Sequence, residues 1–169
     1  MRQFMATVGV VVIGMALFGA IDAKAQGFVF GGPLVFEDVP YVNVGISGEK
    51  RFGKSIGAVF GMSFFGRSSG GDSVYRSSTT GGGIFSMNGS YNFRLKNEKV
   101  EPFATGGISG LVIGTNGGGG ATGGPNLGGG LTYWFKENRG IRGEYRVHFM
   151  DYVYVPTHEI RFGFAWRRP

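Results

Sequence analysis

Five ionisable residues near the end of the chain fall at spacings that could bring them together. Arg142, Glu144 and Arg146 sit two residues apart, and Glu159 and Arg161 repeat the interval a short link later. Residues two apart share one face of a strand, so neighbouring antiparallel strands could oppose these groups as an ion-pair network. Such a set can serve as structural pairing, or as a charged constriction that selects a small solute. His148 continues the first series and His158 directly precedes the second, with Asp151 between them. Two histidines and an acid raise the question of a Ser/His/acid hydrolase or a metal centre. No serine neighbours either histidine in sequence, and two histidines with one aspartate make an incomplete ligand set. Gly117-Gly-Gly-Gly120 lacks the Lys-Ser/Thr partner and following helix of a phosphate loop, and is expected to be a flexible loop. The chain has no cysteine, which excludes disulfides, thiolate zinc sites and cysteine nucleophiles. These residues imply no catalytic site, cofactor or metal.

The elements that must carry these residues are strands. In Ile141–Phe149, Arg142, Glu144, Arg146 and His148 alternate with Ile141, Tyr145, Val147 and Phe149. The last segment repeats the pattern, with Ile160, Phe162, Phe164 and Trp166 against Glu159, Arg161, Gly163, Ala165 and Arg167. Earlier segments alternate with smaller partners. Phe85, Met87, Tyr91 and Phe93 oppose Ser86, Asn88, Ser90, Asn92 and Arg94. Ile56, Ala58, Phe60, Met62 and Phe64 oppose Ser55, Gly57, Gly61 and Ser63. Leu127, Leu131, Tyr133 and Phe135 oppose Gly128, Gly130, Thr132 and Trp134. Glycine falls on both faces of 101–115, and Pro33 marks 27–36 as an edge or bent strand. Short charged turns at 51–54, 96–99 and 136–139 alternate with looser links at 66–79, 115–124 and 151–157, and a brief link at Glu37-Asp38. This rhythm predicts eight strands in an up-and-down antiparallel β-barrel that crosses a membrane.

The polarity of the faces supports the membrane. A narrow eight-stranded barrel has room inside only for side chains that fill it. Glycine, serine and a few paired charges suit that lumen better than rows of aromatics do. Tyr145, Phe149, Phe162, Phe164 and Trp166 are therefore expected to face lipid, and Arg142, Glu144, Arg146, His148, Glu159 and Arg161 to line the lumen. A closed barrel pairs every backbone group, as hydrocarbon requires. The rival is a soluble, calycin-like barrel with its aromatic faces inside.

Residues 1–25 have the parts of a secretory signal: Arg2, an apolar run from Val8 to Ala20, and Ala23-Lys24-Ala25 as the cleavage pattern. The apolar run is short for a spanning helix, which needs ~20 residues. The expected organisation is a cleaved signal peptide, 1–25, and one β domain, 26–169. The 34 glycines disfavour helices. The net charge of +6 is scattered rather than blocked, so no nucleic-acid partner is expected.

Four stretches carry a family resemblance: Asn88-Gly-Ser-Tyr-Asn-Phe-Arg94, Glu101-Pro-Phe-Ala-Thr-Gly-Gly107, Asn126–Phe135 and Gly140-Ile-Arg-Gly-Glu-Tyr-Arg146. Together they resemble small bacterial outer-membrane β-barrel proteins of the OmpA/OmpX-like type, of the porin family, over nearly all of the predicted mature chain. Ile160-Arg-Phe-Gly-Phe-Ala-Trp166 looks like the aromatic final strand used as an assembly signal, although Arg167-Arg168-Pro169 follow where such chains end on an aromatic residue. The resemblance implies export through the Sec pathway and a place in the outer membrane of a Gram-negative envelope. Its implied partners are outer-membrane lipids, with periplasmic chaperones and the barrel-assembly machinery during biogenesis. A structural or surface-interaction role is expected, with no catalysis and no peptidoglycan-binding domain. A narrow channel for small solutes is the alternative, and a lipid-modifying enzyme a distant one. The His-x-Ser-Asn signature of lipid A deacylase barrels is absent.

Overall fold

A computed structural model describes residues 25–69, 78–115, 118–151 and 156–168. The predicted signal segment, apart from Ala25, lies outside the described residues, as do 70–77, 116–117 and 152–155. The rest is eight strands: β1 (Ala25–Phe36), β2 (Val39–Arg51), β3 (Ile56–Ser69), β4 (Ser78–Asn92), β5 (Val100–Thr115), β6 (Gly118–Lys136), β7 (Arg139–His148) and β8 (Thr157–Arg167). Each pairs antiparallel with the next, and β1 closes on β8 with Gln26 opposite Arg167. Chain order and strand order coincide, as the sequence predicts.

Of the two expectations for β1, an edge or a bent strand, closure rules out the edge, because the strand pairs on both sides. Pro33, which has no N–H to donate, sits in a gap of the β1–β8 ladder between Gly31↔Phe162 and Leu34↔Glu159. The Gly-rich stretch 115–124 is also corrected. Residues 118–124 pair with β5 rather than forming a loop, with Thr115↔Gly118 and Gly114↔Gly119 in register. A side chain at Gly119 would bring Cβ to 2.7 Å from the Ile113 carbonyl oxygen, so glycine is what lets these two strand ends approach. Strands β3 and β4 likewise extend into the predicted 66–79 link, to Ser69 and from Ser78. The alternation of short and long connections therefore does not hold, and the strands themselves lengthen toward one end, β6 reaching 19 residues.

The rim that carries Ala25 and Arg167, called proximal here, holds the turns at 52–55, 93–99 and 137–138. The opposite, distal rim holds the Glu37-Asp38 turn, where both residues take left-handed φ values of 48° and 62°.

The alternation partitions the wall as predicted. Val42, Leu127 and Phe162 are 72%, 62% and 62% exposed on the outside, while Arg146, His148 and Glu159 are fully buried inside. The lumen is less polar than expected, however. Leu34, Phe65, Ile84, Leu111 and Met150 form an apolar cluster toward the distal rim. Phe28, Phe30, Trp134 and Ala165 form a second toward the proximal rim. Glycine permits the close approach of β8 to β1 beside these rings: a Cβ at Gly163 would lie 2.0 Å from the Val29 carbonyl oxygen.

Candidate functional site: a charge ladder in the lumen

Strands β2, β5, β7 and β8 turn their inward positions to a connected set of charges. At the proximal rim Arg167 Nη1 lies 4.0 Å from Glu101 Oε2. Glu101 accepts from Arg51, through Nη1 at 3.2 Å and through a second bond from Nη2. Arg51 Nε stands 3.6 Å from Glu49 Oε1, which also accepts from Ser90 Oγ at 2.8 Å and Asn92 Nδ2 at 2.7 Å. Arg142 then bridges Glu49 at 3.6 Å and Glu144 at 3.3 Å, with its guanidinium 3.6 Å from the centre of the Phe103 ring.

Glu144 accepts from Arg146 Nε at 3.0 Å and Nη2 at 2.5 Å, and Arg146 Nη1 donates to Ser86 at 2.9 Å. Arg161 joins the two acids of the upper part, with Nη1 3.9 Å from Glu144 and Nη2 donating to Glu159 at 2.5 Å. Glu159 also accepts from Asn43 Nδ2 at 2.5 Å and lies 2.9 Å from His148 Nε2. Four carboxylates, Glu49, Glu101, Glu144 and Glu159, thus face five arginines, Arg51, Arg142, Arg146, Arg161 and, at the rim, Arg167. Each buried guanidinium stands by at least one carboxylate, which makes its burial tolerable, since an isolated ion in low dielectric is strongly unfavourable; Arg142 Nε and Arg161 Nε and Nη1 still make no hydrogen bond.

All six lumen residues predicted from sequence are buried and joined: Arg142, Glu144, Arg146, His148, Glu159 and Arg161. The five residues predicted to face lipid, Tyr145, Phe149, Phe162, Phe164 and Trp166, are exposed on the outer wall. The lower half of the ladder was not predicted. Its signal is in β2, where Asn43, Ser47 and Glu49 alternate with outward Val42, Val44 and Ile46.

The histidines separate. His148 is buried in the lumen, whereas His158 lies on the outer wall with its Nδ1 2.6 Å from the Tyr145 hydroxyl. They cannot form one site. No serine neighbours a histidine in sequence, but the fold brings Ser109 Oγ to 2.9 Å from His148 Nδ1. Ser109, His148 and Glu159 therefore form a hydrogen-bonded series, and Ser109 also accepts from Asn126 Nδ2 at 2.7 Å. A nucleophilic serine must reach a substrate carbonyl. This one is only 5% exposed and its hydroxyl is held on both sides, so the series acts as an internal tie between β5, β6, β7 and β8. Among the described residues no group of three His, Cys, Asp or Glu is placed to hold a metal ion.

A closed eight-stranded antiparallel barrel is the fold of small outer-membrane barrels of the OmpA/OmpX-like type. Solved structures share it. The N-terminal β-barrel domain of Pseudomonas aeruginosa OprF superposes with a TM-score of 0.64 at 16% identity, covering 86% of this chain and 98% of that one. Neisserial surface protein A gives 0.62 at 14% identity, covering 85% and 95%. The outer membrane protein OprG of Pseudomonas aeruginosa gives 0.63 at 9% identity, covering 86% and 96%. No protein-family model matches the sequence, and no curated protein matches it.

Proposed function

We propose that this chain is an integral outer-membrane protein with a structural or surface-interaction role and no catalytic turnover. Residues 1–25 act as its export signal for the Sec pathway. The observation that carries the reading is the inverted wall. Among the described residues twenty-one large hydrophobic side chains stand exposed on the strands, on the outside, while the ladder of charges is buried inside. In water such a surface far exceeds the apolar patch of ~300–600 Å² typical of a soluble monomer. The shortest strands, β7 with 10 residues and β8 with 11, match the ~9–11 needed to cross the hydrocarbon, and the surplus of the longer ones, up to 19 in β6, extends beyond the distal side. The proximal rim is then periplasmic, and assembly involves periplasmic chaperones and the barrel-assembly machinery.

The absence of native cysteine makes the test direct. Phe162→Cys and Lys54→Cys proteins in phospholipid vesicles are exposed to a water-soluble maleimide from both sides. Rapid labelling at 54 with protection at 162 is expected, and equal labelling would overturn the membrane reading. A channel is the second reading, favoured by the continuity of the charge ladder. Against it, Leu34, Phe65, Ile84, Leu111 and Met150 pack into an apolar cluster above the charges. Planar bilayers should therefore show no conductance steps. Steps that vanish on replacing Arg142 or Arg146 would establish the channel instead.

A further inference from the structure

The outer wall is not uniform. A groove of about 770 Å³ runs across it, within the ~300–1,000 Å³ range of small-molecule sites. Two rows of outward residues bound it along the hydrogen-bonding direction. Phe60, Met87 and Ile108 are register partners on its proximal side, and Ile46, Met62 and Phe85 on its distal side. The strip between them, Ser47, Gly61, Ser86 and Ser109, consists of inward-facing positions, so the floor is backbone.

The groove climbs from Gly27, near the start of β1, to Ile108, midway along β5. Four strand-to-strand steps at ~4.8 Å give a length of roughly 19 Å. That suits one lipid chain running obliquely through one leaflet, whose share of a ~30 Å hydrocarbon core is ~15 Å. At the lower mouth the Trp166 indole lies against Gly27, where a Cβ would come 2.2 Å from the ring.

The same mouth is cationic. Arg168 lines it, with its N–H donating to the Ala25 carbonyl at 3.1 Å. Lys50 is the register partner of Ala25, at an outward position of β2. The whole rim shares this sign: its turns carry Lys54, Arg94, Lys96 and Lys99 against Glu98 and Glu137, with Lys136 and Arg139 at the adjoining strand ends. The described distal turns carry Glu37, Asp38 and Asp151. An apolar trough the length of one leaflet, opening at a cationic mouth on a cationic rim, fits an amphiphile with an anionic head.

We infer that this groove binds an anionic phospholipid of the proximal leaflet, one acyl chain in the trough and the phosphate at Arg168 and Lys50. The inference rests on the membrane reading above. Trp166 is the reporter, because the only other tryptophan, Trp134, lies in the lumen and can be replaced by Phe. The Trp134→Phe protein in phosphatidylcholine bilayers is titrated with doxyl-labelled phosphatidylglycerol or doxyl-labelled phosphatidylcholine. A cation near a membrane surface contributes about fivefold in binding (about 1 kcal/mol), so half-quenching by the anionic lipid should need about 25-fold less label. Lys50→Ala/Arg168→Ala should abolish that preference. Gly110→Leu should weaken quenching by the anionic lipid by closing the upper end, where a Cβ meets nothing nearer than 4.0 Å.

Equal quenching by both lipids, or a preference that survives removal of both cations, would overturn the inference while leaving the membrane reading intact. Release of the labelled lipid by glycerol phosphate at the same concentration would also overturn it, by showing a headgroup site alone. Quenching by neither lipid would overturn both.

Discussion

Glu159 is the carboxylate on which most of the upper ladder converges, and its loss is the sharpest test of that ladder. It accepts from Arg161 Nη2 and from Asn43 Nδ2, both at 2.5 Å, and stands 2.9 Å from His148 Nε2. Glu159→Gln preserves shape while removing the charge. Arg161, 1% exposed, then keeps only Glu144 as an acidic partner, at 3.9 Å from Nη1. Breaking a buried pair by removing one member destabilises by about 3–5 kcal/mol, because the other charge is left without compensation. The Glu159→Gln/Arg161→Met double variant removes that stranded charge. Its thioether can rest on Phe30, whose ring centre lies 4.6 Å from the Arg161 guanidinium carbon. It should fall within about 1–2 kcal/mol of the parent, since apolar replacement of a buried pair is often close to neutral. Urea titrations in vesicles, scored by the fraction of compact protein on unboiled gels, measure both. A single variant that loses less than ~1 kcal/mol, or a double variant no better than the single, would refute the reasoning.

Three further outcomes follow from the same structure. Phe162→Arg, on the lipid-facing wall, should cost about 2–4 kcal/mol near the bilayer midplane, whereas Phe52→Arg in a proximal turn should stay within about 0.5 kcal/mol. The same urea titration reads both. Phe65→Ala should destabilise by about 3–5 kcal/mol by emptying the distal cluster, again scored by urea. Glu37→Asn/Asp38→Gly should stabilise by about 1–2 kcal/mol, visible as a higher urea midpoint. Both residues sit at positive φ, where the replacement pair is favoured in a two-residue hairpin turn.

Strands β7 and β8 were legible because large aromatic and charged residues alternate in them without interruption. That alternation placed Arg142, Glu144, Arg146, Glu159 and Arg161 on one face and hence in one network. Glu49 was equally readable from β2, which alternates as cleanly. The apolar lumen clusters were not, because Val59, Phe65, Ile84 and Leu111 sit inward in strands that also carry apolar residues outward. When both faces are apolar, a period of two carries no sign. The pairing of 118–124 was hidden for a different reason. Glycine ordinarily weakens strands, yet between closely approaching strand ends its missing side chain is what permits pairing. The Ser109–His148 contact joins β5 to β7, so only the closed topology could reveal it.

The central claim is a closed barrel that turns its apolar face to lipid. Protein folded in detergent and run on a gel with and without boiling tests it most directly. The account predicts a compact, protease-resistant band in the unboiled lane that shifts on boiling. Protein that stays soluble without detergent and shows no shift would contradict it, and would place the aromatic faces around a soluble cavity instead.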